Sequence, residues 1–140
     1  MRDKKHLCTR ALGALLLLPF LSGCSMATDL SNPEWARIVL SASSTFSLEL
    51  LTSQKFLVTE SAVSLMESST DTVTVPFDKT YALEAPARFY VQVTNVTQQT
   101  VSFHLKVLLE DRTWVDEDRM VASGEKVEFV YRYDMPTPNG

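Results

Sequence analysis

Alternation of apolar and polar side chains along residues 101–110 constrains the fold of this chain more than any other feature. Val, Phe, Leu, Val and Leu occupy the odd positions of this segment, and Ser, His, Lys, Leu and Glu occupy the even positions. Because successive side chains of a β-strand point to opposite faces, the pattern predicts a strand with one buried face and one largely hydrated face. The chain is therefore expected to build its core from β-sheets.

Similar alternation flanks this strand on both sides. Residues 89–94 and 127–133 repeat the two-residue period, and residues 113–121 are predicted to form a further strand between them. We therefore predict that residues 88–133 form a four-stranded antiparallel meander. Its connections are expected to be a hairpin loop at Asn95–Gln99, a tight turn at Asp111–Arg112 and a turn at Ser123–Gly124.

The first half of the domain is less regular. Ala36–Leu40, Phe46–Leu51 and Thr72–Phe77 are candidate strands, and Pro76 favours an edge position or a strand end for the last of them. Glu60–Met66 fits either a short strand or a helical turn. The hydrophobic period alone does not decide between these two alternatives.

Seven or eight short strands at this spacing predict an all-β fold, an antiparallel two-sheet sandwich of the immunoglobulin-like or transthyretin-like kind. The expected domain covers residues 35–134. Residues 135–140, which include two prolines, are expected to be a loose tail. A domain of this size buries enough apolar surface to fold without disulfides.

The N-terminal 24 residues differ in composition from the rest of the chain. Four basic residues and one acid precede an apolar run of 11 residues, which is followed by Ser22, Gly23 and Cys24. This is the order of a secretory signal, with a positively charged start, an apolar centre and small residues at the cleavage site. A membrane-spanning helix needs about 20 residues, so we expect no permanent transmembrane anchor.

Leu21-Ser22-Gly23-Cys24 resembles the lipobox of bacterial lipoproteins, and all four positions fit that pattern. The resemblance implies cleavage between Gly23 and Cys24 and attachment of a diacylglyceryl group to the Cys24 thiol. Two or three acyl chains anchor a protein stably to a membrane. Residues 24–34 are then expected to be the lipidated N-terminus and a short polar tether.

The same resemblance implies a location. Residues 1–23 would be removed as a signal peptide, and membrane lipid would hold the mature chain through acylated Cys24. Ser25 differs from the Asp that usually retains lipoproteins in the inner membrane of diderm bacteria. We therefore expect an outer-membrane lipoprotein facing the periplasm in a diderm source, and a protein on the outer face of the cell membrane in a monoderm source.

The charge of the mature chain excludes one class of partner. From Cys24 to Gly140 there are 117 residues, with 9 Lys and Arg against 16 Asp and Glu, a net charge of −7. Nucleic-acid binding needs clustered cations that neutralise phosphates, so no nucleic-acid partner is expected. The acidic body also argues against a second, electrostatic attachment to anionic lipid.

Residues suited to catalysis are few. His104 is the only histidine beyond residue 23, and it occupies the hydrated face of its predicted strand. No Gly-x-Ser-x-Gly motif accompanies it, and one histidine is too few for a typical catalytic zinc site. We therefore expect no enzyme activity, no metal and no cofactor.

The candidate binding residues are Trp114, Asp116, Glu117 and Asp118. Calcium prefers clustered oxygen ligands, so the acidic run is a candidate loop site, although its spacing matches no EF-hand. A solvated strand that uses its charges to resist edge pairing explains the same run. In such a strand Asp116 and Asp118 share one face, with Arg119 and Arg112 near enough to pair with them. Trp114 is a candidate partner or glycan contact.

Two functional hypotheses follow. The first is a non-catalytic envelope lipoprotein whose sandwich binds or scaffolds another envelope protein, with exposed sheet edges available for strand addition. The alternative is a lipoprotein that binds a small ligand, a glycan or Ca²⁺ through the acidic hairpin and Trp114. Asn95-Val96-Thr97 fits a glycosylation sequon, but beside a bacterial lipobox a hairpin loop is the better interpretation.

Overall fold

A computed structural model describes residues 32–133, which form eight strands in two four-stranded antiparallel sheets. The strands are β1 (Trp35–Ser41), β2 (Phe46–Val58), β3 (Val63–Val75), β4 (Phe77–Ala82), β5 (Arg88–Thr94), β6 (Val101–Leu109), β7 (Arg112–Val121) and β8 (Lys126–Arg132). Sheet A has the strand order β4-β1-β6-β7, and sheet B has the order β3-β2-β5-β8. The antiparallel two-sheet sandwich expected from the sequence is confirmed.

Several sequence predictions lie outside the described residues. These are the signal peptide, the cleavage and lipidation positions Gly23 and Cys24, and the tail at 135–140. Within residues 32–133, no helix is long and apolar enough to cross a membrane.

The four strands predicted within residues 88–133 are present, but they do not form a meander. β5 and β8 pair in sheet B, whereas β6 and β7 pair in sheet A. The segment at 95–99, expected to be a hairpin loop, instead crosses from sheet B to sheet A, and the chain crosses back between β7 and β8. Alternation shows which face of a strand is buried but not which strand is its neighbour, so it fits both topologies.

The two longest strands, β2 and β3, have 13 residues each and form one hairpin. β2 continues well beyond the predicted strand at 46–51, and β3 joins most of the predicted segments at 60–66 and 72–77 into one strand. The helical alternative for 60–66 is therefore wrong. Register shifts near Lys55 mark β-bulges, which interrupt the two-residue alternation. β3 ends directly before Pro76, as expected for a strand end.

The hydrophobic core lies between the two sheets. Tyr81 of sheet A and Phe89 of sheet B meet across it with their ring centroids 5.4 Å apart. Removing apolar surface from water stabilises such a core by about 25 cal/mol per Å². The largest fully buried aliphatic side chains are Ile38, Leu40, Leu48, Leu50, Val75, Val91, Val93, Val107 and Val121.

The β6–β7 hairpin contains a bulge at Trp114. Trp114 is an extra residue in the ladder, because Val115, directly after it, is the residue that pairs with Val107. The turn of this hairpin is at 110–111, one residue earlier than predicted, and Glu110 has a φ of 54°, in the left-handed region. The bulge moves every later residue of β7 by one position along β6, which decides which side chains meet there.

Candidate functional site

The acidic run of β7 meets His104 of β6 on the outer face of sheet A. Nδ1 of the imidazole lies 2.9 Å from Oδ1 of Asp118, and Nε2 lies 2.6 Å from Oδ1 of Asp116. A neutral imidazole carries one N–H, so only the protonated ring donates to both carboxylates. Hydrogen bonds to Asp118 and to Asp116 therefore raise the pKa of His104 above its ordinary value.

Lys106 adds a second cation to this cluster. Its Nζ lies 3.3 Å from Oδ2 of Asp116, and the hydrogen bonds from His104 and Lys106 lower the pKa of the Asp116 carboxyl. The two nitrogens of an imidazole point in different directions, so the carboxylates bracket the ring rather than converge on one point. Residues 32–133 contain no group of three or more His, Cys, Asp or Glu side chains that could hold a metal ion. The arrangement is a charged network in which His104 binds a proton.

Glu117 lies on the opposite face of β7 from this network. It pairs in the ladder with Leu105, whose side chain is buried in the core, and it forms a salt bridge with Arg119. The expected pairing of Arg119 with Asp116 or Asp118 is therefore wrong. Residues two apart in a strand share a face, so Arg119 lies on the face of Glu117.

Trp114, the remaining candidate binding residue, packs against an aromatic side chain of the other sheet. Its ring packs edge-to-face against Tyr131 of β8, with the centroids 5.2 Å apart, and the indole stays 41% exposed. This pair links sheet A to sheet B at the side of the sandwich where β7 and β8 are the edge strands. Of the four candidate binding residues, the structure brings together only Asp116 and Asp118.

Asn95, the first residue of the sequon, is fully buried. Its Nδ2 donates to the carbonyl oxygens of Gln99 at 2.7 Å and Val121 at 2.9 Å, and its Oδ1 accepts from the backbone N–H and the hydroxyl of Thr97. Both amide protons are used, so the folded domain does not present this side chain for glycan attachment. Asn95 instead fastens the crossover between the sheets to the end of β7, a role that a local sequence pattern does not reveal.

A shallow cleft of about 420 Å³ lies at the end of the sandwich where the β1–β2 and β5–β6 connections meet. Hydroxyl and amide side chains line it, together with apolar surface from Phe46 and Val101, and no charged side chain takes part. The sequence gives no sign of this cleft, because the two connections are distant in the chain. The polar residues are Ser43, Ser44, Thr45, Thr97, Gln98, Gln99, Thr100 and Ser102.

The four edge strands differ in how well they resist pairing with another chain. β7 contains the Trp114 bulge and five charged residues, β4 has only six residues and follows Pro76, and β8 has seven residues of which three are charged. In β3, by contrast, residues 69–75 pair regularly with β2 and include one charge, Asp71. Charges, bulges, prolines and short length protect sheet edges, so β3 is the least protected.

Comparisons with models of known protein families, with curated proteins and with solved structures found no match. The fold and the edges define the class of molecule as a two-sheet β-sandwich with one long, weakly charged edge strand. Among the residues that the structure describes, no strand lies on the outer side of β3.

Proposed function

We propose that the protein is a lipid-anchored lipoprotein of the bacterial envelope, whose sandwich binds another envelope protein and catalyses no reaction. The lipobox that ends at Cys24 supports the anchor, and the exposed edge of β3 supports the mode of binding. The sandwich would lie at the periplasmic face of the outer membrane in a diderm source. In a monoderm source it would lie at the outer face of the cell membrane.

The β3 edge is the observation that carries the binding hypothesis. A strand at a sheet edge leaves part of its backbone N–H and C=O groups without a partner strand, and an incoming extended segment satisfies them. Thr72 and Thr74 are exposed on the outer face of β3, and Val73 and Val75 pack into the core. Their β-branched side chains favour an extended backbone, so residues 69–75 are already shaped to accept a fifth strand of sheet B.

Replacing Cys24 with Ser tests the anchor. The substitution removes the thiol that would accept the diacylglyceryl group, so the protein should leave the washed membrane fraction. The lipid mass should also be missing from its N-terminal peptide in mass spectrometry. Ser25→Ala is the matched control, because it keeps the thiol and should leave the protein in the membrane fraction. Membrane partition of the Cys24→Ser protein equal to that of the parent would show that the anchor is wrong.

Photo-crosslinking in cells tests the binding mode. A crosslinking residue at Thr70 of β3 should give one discrete adduct with an envelope protein, whereas the same residue at Thr80 of β4 should not. The double variant Thr72→Lys and Thr74→Lys places charges on the β3 edge and should remove the adduct while leaving the unfolding midpoint nearly unchanged. An adduct that forms equally at Thr80, or that survives both lysines, contradicts strand addition at β3.

The cleft at the loop end supports a second candidate, the binding of an uncharged polar ligand such as a glycan. Its hydroxyl and amide groups can both donate and accept hydrogen bonds, and Phe46 supplies an apolar surface beside them. A neutral glycan panel should raise the unfolding temperature of the parent protein but not of a Gln98→Ala, Gln99→Ala variant. If no glycan raises the unfolding temperature of the parent protein, the glycan-binding candidate is wrong and protein binding at the β3 edge is the one remaining proposal.

A further inference from the structure

The closed end of the β2–β3 hairpin extends past the rest of sheet B. β2 pairs with β5 only over Glu49–Ser53, whereas its pairing with β3 continues to the pair Val58–Val63. We call residues 56–65 the hairpin arm. A salt bridge of 2.8 Å between Lys55 and Glu67 lies at the base of the arm.

The arm presents large apolar side chains to solvent. Leu57 is 55% exposed, and Met66, at the base of the arm, is 67% exposed. Leu57 pairs with Ser64, and Met66 is the extra residue of the β-bulge between the pairs Phe56–Leu65 and Lys55–Glu67, so the two exposed side chains are close neighbours on the hairpin. On the other face, Phe56 is buried against Tyr90, which holds the arm to the sheet. An exposed pair of this kind on a fixed hairpin has no role in the core of the domain.

The arm lies at the end of the sandwich where the described chain begins. Oδ1 of Asn32, the first described residue, accepts a hydrogen bond of 2.6 Å from the backbone N–H of Ala87. The next residue, Arg88, donates from Nη1 to the carbonyl oxygen of Phe56 in the arm at 3.1 Å. Two hydrogen bonds thus connect the point where the tether enters the domain with the arm.

Covalent geometry limits the distance between this end and the lipid anchor. Cys24 and Asn32 are eight residues apart, and an extended chain spans at most about 3.5 Å per residue, so the separation is at most roughly 28 Å. β6, with nine residues, is itself about 30 Å long. The tether therefore reaches no farther than about the length of the sandwich, and it enters the domain at the end that carries the arm.

We infer that the hairpin arm is a membrane contact, which inserts Leu57 and Met66 into the interface of the bilayer to which Cys24 is attached. The inference rests on the proposed lipid anchor. The contact is apolar rather than electrostatic, because the arm carries the single carboxylate of Glu60 and the mature chain is acidic. An uncharged phospholipid surface is therefore the partner. The contact would fix the orientation of the sandwich on the membrane and turn the opposite end, with its polar cleft, away from it.

Depth-dependent fluorescence quenching tests the contact in the full lipidated protein. Leu57→Cys, Met66→Cys and Met120→Cys are each labelled with bimane and reconstituted into phosphatidylcholine vesicles, part of whose lipids carry bromine in the upper acyl chain. Met120 is the matched control, because it is 76% exposed at the opposite end, where it pairs with Ser102. Interfacial side chains reach about 5–10 Å into the bilayer, so the labels at 57 and 66 should be quenched roughly threefold more than the label at 120.

The outcomes separate the inference from the anchor on which it rests. If the lipidated protein binds vesicles but the label at 57 is quenched no more than the label at 120, the membrane contact is wrong and the anchor stands. Mature protein without lipid on Cys24 overturns both. The three labelled variants alter exposed side chains, and circular dichroism spectra identical to that of the parent would establish that each is folded.

Discussion

Nε2 of His104 lies 2.6 Å from Oδ1 of Asp116, and the other ring nitrogen lies 2.9 Å from Asp118. These contacts cross from β6 to β7 on the exposed face of sheet A. Both distances are compatible with hydrogen bonds only when the ring carries two protons. Asp116 and Asp118, two of the three residues of the acidic run that the sequence makes a candidate calcium site, therefore stabilise the charge on a neighbouring histidine.

His104 is expected to titrate above its ordinary pKa of 6.5, because Asp118 and Asp116 stabilise the charged ring. A folded-state pKa above the unfolded value means that the stability contribution is complete below pH 6.5 and is lost as the pH rises through the raised value. His104 is the only histidine after residue 23, so one imidazole resonance in NMR reports it. Denaturation midpoints should fall across the same pH window.

Asp118→Asn and Asp116→Asn provide the controls for this titration. Each amide removes one negative charge beside the ring, so each variant should lower the pKa of His104, and the double variant should bring it close to the ordinary value. His104→Asn should give a stability that does not change across the window above pH 6.5. If the pKa of His104 is the same in both aspartate variants as in the parent protein, the geometry is contradicted.

Removing the side chain of Asn95 is expected to destabilise the fold by about 2–4 kcal/mol, because it leaves buried carbonyl and N–H groups without partners. Asn95→Asp should cost at least as much near neutral pH, since a carboxylate would face the carbonyl oxygens of Gln99 and Val121. Urea denaturation measures both. Gln98→Ala, at an exposed position of the same loop, should change stability by less than about 0.5 kcal/mol.

The pair formed by Trp114 and Tyr131 is expected to couple the two sheets. Aromatic pairs of this geometry contribute about 0.5–1.5 kcal/mol beyond the area they bury. A double-mutant cycle with Trp114→Ala and Tyr131→Ala should return a coupling energy in that range. A coupling energy of zero would mean that the indole does not hold the sheets together, which would return Trp114 to the set of candidate partner contacts.

The positions of the strands could be predicted from the sequence better than the pairing between them. The alternation over residues 101–110 correctly identified the buried face of β6, because burial of one face is a local property of the pattern. It could not reveal that β5 and β6 lie in different sheets, since a crossover of a few residues and a hairpin loop have similar composition. The hydrogen bond by which Asn95 holds the crossover in place ends on the carbonyl oxygen of Val121, 26 residues away. A local sequence pattern does not reveal such a partner.

One extra residue in the β6–β7 ladder decided how much of the candidate site could be predicted from the sequence. With the turn at 110–111 and no bulge, His104 would pair with Glu117, and Asp116 would point into the core. The bulge at Trp114 shifts the register so that His104 pairs with Asp118. Alternation correctly placed Asp116 and Asp118 on one face. The histidine between them could not be predicted without knowing where the extra residue lies.

Glu117 and Arg119 point inward from β7 yet remain about half exposed, at 44% and 43%. They lie opposite Leu105 and Phe103, on the face that an interior strand would fill with apolar side chains. Charges directed inward from an edge strand oppose the addition of another chain, because pairing would bury them. This protection explains why β7, despite its ten residues, is a poor candidate for strand addition.

The double variant Glu117→Val and Arg119→Val should therefore increase self-association through β7. Sedimentation velocity at matched concentrations should show larger species than in the parent protein, and a crosslinker at Thr113 should join the copies. Asp118→Asn, which removes a charge from the outer face of the same strand, should leave the sedimentation profile unchanged. If the double valine variant sediments as the parent does at every concentration, inward charge is not what protects this edge. The Trp114 bulge would then be the feature that keeps β7 unpaired.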